Sequence, residues 1–116
     1  MAEMQYSEFR QKLTKLVHEV VTQLPESRPV AQRLAILLGN QARNGEPSKL
    51  LYTFRAGAFR NASKSSAAQG LKEQIENLAM DADYALSYGC TQKEFEQWKY
   101  NRDLTKAIEE AIGEEI

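Results

Sequence analysis

Residues 9–25, FRQKLTKLVHEVVTQLP, carry the pattern that decides the fold class. Phe9, Leu13, Leu16, Val17, Val20 and Leu24 recur every three or four positions, the spacing that stacks side chains along one side of an α-helix. His18 falls on the opposite, polar side and reads as a solvated helix residue with no partner for catalysis or metal binding. Leu24-Pro25 closes the segment, because the residue before proline avoids the helical region and proline has no N–H to donate. A helix over about residues 5–24 is expected.

Four further helical segments follow. Pro29 suits the first turn of a helix over 29–42, with Val30, Leu34, Leu37 and Leu38 as its stripe and Asn44-Gly45 as its stop. Ile36 lies off that stripe, so the helix packs on two sides or meets a partner. In 48–61, Leu50, Leu51, Phe54 and Ala58 share one arc, while Tyr52 and Phe59 lie together on another side as surface aromatics with Arg55 between. Gly57, in mid-helix, costs about 1 kcal/mol against alanine and calls for close packing or a bend. The segment 66–88 has Leu71, Ile75, Leu78, Ala82 and Ala85 as its stripe, with an acidic opposite face that also carries Met80 and Tyr84.

The last segment, 91–113, opens on Thr91 with Glu94 three residues on, a capping box. Phe95 and Trp98 do not continue into the stripe of Leu104, Ala107, Ile108 and Ala111, so a restart is expected near 101–103 with Asp103 as N-cap. With no strand pattern anywhere, the expected fold is all-α: a compact bundle of four to five helices in one domain spanning 1–116.

Composition narrows the chemistry. A chain of 116 residues is long enough for one core without a metal or disulfide to hold it. The single cysteine, Cys90, excludes an internal disulfide and suits a reducing, cytoplasmic setting. No apolar run approaches the roughly 18 residues of a membrane span. One cysteine and one histidine make no thiolate or imidazole metal site, and no phosphate-cradling glycine loop is present. The acids Glu73, Glu76, Asp81 and Asp83 read as a solvated helix face, since a magnesium site needs carboxylates converging from more than one helix. No enzyme activity and no cofactor are expected.

Charge is the informative feature. From Ser27 to Lys72, eight bases face one acid; from Glu73 to Ile116, eleven acids face four bases. Within the first of these, Pro47 to Lys72 contains no acid at all. Cations interleaved with aromatics hold nucleic acid, the cations tracking phosphates while rings stack on bases. Arg43, Lys49, Tyr52, Arg55, Phe59, Arg60 and Lys64 are the candidate contacts. Glu76, Met80, Asp83 and Tyr84 are the candidate interface for a basic protein partner, and the bipolar charge also favours self-association.

One further stretch, residues 83–102, DYALSYGCTQKEFEQWKYNR, resembles a helix-turn-helix of the Cro and repressor type. Ala85, Gly89, Cys90, Phe95 and Trp98 meet that pattern, with Tyr84 and Tyr88 at its other buried places. The likeness implies a DNA-reading regulator, although Glu94 and Glu96 stand among Lys93, Lys99 and Arg102 on its reading helix. In size, class and charge the chain is similar to small helical subunits of nucleoprotein complexes such as CRISPR effectors. The leading expectation is therefore a non-catalytic, nucleic-acid-associated subunit. A protein-binding module (inhibitor, immunity protein, antitoxin or adaptor) is the alternative, and the helix-turn-helix regulator is third.

Overall fold

Each apolar stripe has to be covered by others, and the five helices do this by closing into a ring of neighbours. The computed structural model describes residues 6–39, 47–60, 66–85 and 102–113. Among them are five α-helices and no strand: α1 (Tyr6–Gln23), α2 (Arg28–Gly39), α3 (Pro47–Ala58), α4 (Ser66–Tyr84) and α5 (Arg102–Gly113). α1 packs on α5, α5 on α2, α2 on α3, α3 on α4, and α4 back on α1. The radius of gyration of 13.5 Å matches the roughly 13 Å of a compact domain this long.

The stripe of α1 is buried as its spacing requires, with Phe9, Leu13, Val17 and Val20 at its centre and Val21 added to it. Ala31, Leu34, Ala35 and Leu38 of α2, Leu51 and Phe54 of α3, Ile75 and Leu78 of α4, and Leu104 and Ile108 of α5 complete one continuous core. α2 packs on both α3 and α5, but Ile36 is exposed and does not mark a buried second side; Leu37 is partly buried.

A short 3-10 turn, Pro25–Ser27, joins α1 to α2. Backbone bonds tie it to both helices: Leu24 donates to the Val20 carbonyl at 2.7 Å, Ser27 to the Leu24 carbonyl at 2.8 Å, and Arg28 to the Pro25 carbonyl. Pro29 stands in the first turn of α2, where its missing N–H costs nothing.

Gly57 is explained by close packing. A Cβ there meets Val30 Cγ1 at 3.0 Å, so the absent side chain is what lets α3 approach α2. Three expectations need correction. α3 stops at Ala58, and Phe59-Arg60 form a turn rather than its last residues. Asp103 lies inside α5, which already begins at Arg102, so it is not the N-cap. Phe59 is not a surface aromatic, as the site geometry makes plain below. The Thr91 capping box and the turn at Gly89 lie outside the described residues.

Side chains from α1 and α2 cap the far end of α5. Arg28 Nη2 donates to the Ile112 carbonyl at 3.0 Å, and His18 Nδ1 lies 3.3 Å from the Ala111 carbonyl. Carbonyls in a last helical turn lack intrahelical donors and carry the negative end of the helix dipole, so a guanidinium there satisfies both. At the other end of α5, Thr105 Oγ1 donates to the Ala35 carbonyl of α2 at 2.7 Å.

Candidate nucleic-acid interface

The pattern of α3 divides into three strips. Leu50, Leu51, Phe54 and Ala58 face the core. Lys49, Tyr52, Thr53 and Ala56 face outward, and Arg60 in the following turn is also exposed. Tyr52, 40 % exposed, stands near the Lys49 end of this strip. Thr53 Oγ1 returns its proton to the Lys49 carbonyl at 3.0 Å, so its hydroxyl is spent within the helix.

The third strip holds Arg55 and Phe59, one turn apart, and Arg55 reaches α4. Arg55 Nε donates to the Lys72 carbonyl at 3.3 Å, and Nη2 sits 3.5 Å from Glu76 Oε2. Its guanidinium is engaged in the seam between the two helices. Phe59 is 8 % exposed and belongs to the core. Its expected pairing with Tyr52 as a second stacking ring is therefore corrected: the two share a region of the helical wheel, but Phe59 is buried in the core while Tyr52 is exposed.

α2 contributes a cation that adjoins this surface. Arg33 is exposed and, with Thr53, borders a narrow cleft of about 30 Å³ between α2 and α3. Arg28 is directed instead to the end of α5. The described basic surface is thus Arg33, Lys49 and Arg60 with Tyr52 among them, and no acid occurs in α3. Arg43 and Lys64 lie outside the described residues.

The second candidate surface is the outer face of α4. Met80 is 56 % exposed and Tyr84 41 % exposed, one helical turn apart. Glu73 and Asp83 beside them are exposed, and Glu76 is partly covered where it meets Arg55. The exposure of Tyr84 departs from the buried place that the helix-turn-helix likeness assigns it, whereas Ala85 is fully buried. The rest of that corner, 86–101, is outside the described residues.

A groove of about 420 Å³ runs between α1 and α4, bordered by Lys12, Lys15, Glu19 and Asp81 together with Gln74 and Asn77. Its charges are mixed, and the chemistry it offers is that of a solvated seam. Among the described residues no three His, Cys, Asp or Glu side chains gather as a metal site. No helix among them is long and apolar enough to cross a membrane. The chain matches no protein-family model, no curated protein and no solved structure.

Proposed function

We propose that this chain is a non-catalytic helical domain that contacts a nucleic-acid backbone through the outward strip of α3, as a subunit of a larger nucleoprotein complex in a reducing cytoplasm. The observation that carries this reading is the acid-free exposed surface of Lys49, Tyr52 and Arg60, with Arg33 of α2 alongside. Lysine and arginine track phosphates without reading sequence. One exposed ring gives a single stacking platform, which favours a strand whose bases are unpaired. Arg43 and Lys64 are further bases of the same acid-poor stretch of sequence.

Titration of labelled single- and double-stranded oligonucleotides at several salt concentrations tests the reading. Three phosphate contacts on a single strand give log K against log salt a slope of about −2. Lys49→Glu/Arg60→Glu abolishes binding, and Tyr52→Ala weakens the single strand more than the duplex. Absence of binding at about 0.01 M salt, with the protein dilute enough to be monomeric, overturns it.

A second reading, a protein-binding module, draws on Met80 and Tyr84, large apolar side chains exposed among acids on α4. Its contact would be a basic surface, with the acids steering the encounter.

A further inference from the structure

We propose that the surface shared by α3 and α4 pairs with the same surface on a second copy of this chain, α3 of each copy lying on α4 of the other.

The argument begins with charge. The outward strip of α3 and the turn after it hold Lys49 and Arg60 and no acid. On α4 the exposed acids Glu73 and Asp83, with Glu76 at the junction, form the opposite stripe, while Asp81 borders the groove against α1. These stripes of opposite sign are neighbours, because α3 and α4 pack together and Arg55 and Glu76 meet at their junction. A surface with one positive and one negative stripe side by side is self-complementary. A two-fold rotation about an axis through the junction lays each stripe on its opposite in the partner, and both pairings form at once. Shifting one copy to set like on like brings Lys49 and Arg60 against each other and is repelled.

Apolar groups stand where such a contact needs them. Tyr52 lies three residues from Arg55, and Met80 lies four residues from Glu76, so each stripe carries an exposed apolar side chain about one turn from the junction. These side chains add apolar area beside the charged Arg55–Glu76 junction. The pairing covers Lys49 and Arg60, so a dimer of this kind and a bound nucleic-acid backbone exclude each other. The proposal does not depend on nucleic-acid binding, and its test contains none.

The experiment is sedimentation equilibrium on the full chain at about 0.01 M and about 1 M salt, where the screening length falls from about 30 Å to about 3 Å. Two variants at exposed positions are run alongside: Lys49→Glu/Arg60→Glu, acidic on both stripes, and Glu73→Lys/Asp83→Lys, basic on both. The unaltered chain is expected to dimerise at low salt and to dissociate at high salt. Each variant alone is expected to be monomeric, and an equimolar mixture of the two to recover a one-to-one dimer. Recovery also shows that both variants are folded. An unaltered chain that stays monomeric at low salt overturns the proposal and leaves the α4 face to a basic partner of different sequence. A dimer that survives either variant alone, or a mixture that fails to pair, overturns it equally, since the contact then lies elsewhere.

Discussion

Arg55 of α3 and Glu76 of α4 are joined across the seam between their helices, Nη2 to Oε2 at 3.5 Å, while Nε of the same guanidinium donates to the Lys72 carbonyl. The pair is half-exposed, so solvent screens much of its attraction. Arg55→Ala is expected to cost about 0.5–1 kcal/mol in urea unfolding. The same change should leave oligonucleotide affinity nearly intact, in contrast to Lys49→Glu/Arg60→Glu. A loss of affinity in Arg55→Ala as large as in the double variant would show that the guanidinium leaves the seam to meet a ligand.

Tyr52 and Phe59 should separate cleanly when each is truncated. Phe59→Ala removes a core side chain and is expected to cost about 3 kcal/mol. Tyr52→Ala, at an exposed position, should change stability by less than about 0.5 kcal/mol. Thermal melts of the two variants side by side decide the matter.

Gly57→Ala sets helix propensity against space. Alanine gains about 1 kcal/mol of propensity in a helix interior, but its Cβ meets Val30 Cγ1 at 3.0 Å. A net destabilisation is expected in the native background. With Val30→Ala the obstruction is gone, and the same change should become stabilising. A double-mutant cycle measures this coupling, and additivity within about 0.3 kcal/mol would remove Val30 as the reason for the glycine.

Arg28→Ala should loosen α5 rather than its own helix. The lost bond is a charged donor to the Ile112 carbonyl, and about 1–2 kcal/mol is expected. Amide exchange should quicken in the last turns of α5 while the middle of α2 keeps its protection.

Thr105→Val keeps the shape of the side chain and deletes its 2.7 Å bond to the Ala35 carbonyl. A cost of about 1 kcal/mol is expected by chemical denaturation. An unchanged stability would mean that the α2–α5 contact rests on apolar burial alone.

Much of the helical order was legible because burial obeys periodicity. Phe9, Leu13, Val17 and Val20 are spaced for one face, and one face is where they are buried. The outward strip of Lys49 and Tyr52 and the outer position of Met80 were legible for the same reason. Phe59 was misjudged because a helical wheel places a residue by angle alone and does not say which flank a neighbour will cover. Arg55 and Arg28 were equally opaque: their acceptors lie 17 and 84 residues away, and pairing over such separations is decided by packing. Once those two are engaged, Arg33 becomes more informative than its sequence neighbourhood suggested.

The ring order carries a consequence for how the chain reaches its native state. α5 is inserted between α1 and α2, which are consecutive in sequence and touch each other only slightly. The contacts that complete the N-terminal helices therefore join segments as far apart as Arg28 and Ile112. Loop closure over that span precedes any stabilisation from the contact, which slows folding relative to a bundle of sequence neighbours. During synthesis, the sides of α1 and α2 that α5 covers stay open to water, and to other chains, until residues 102–113 have emerged. Vulnerability to aggregation should be concentrated in that interval.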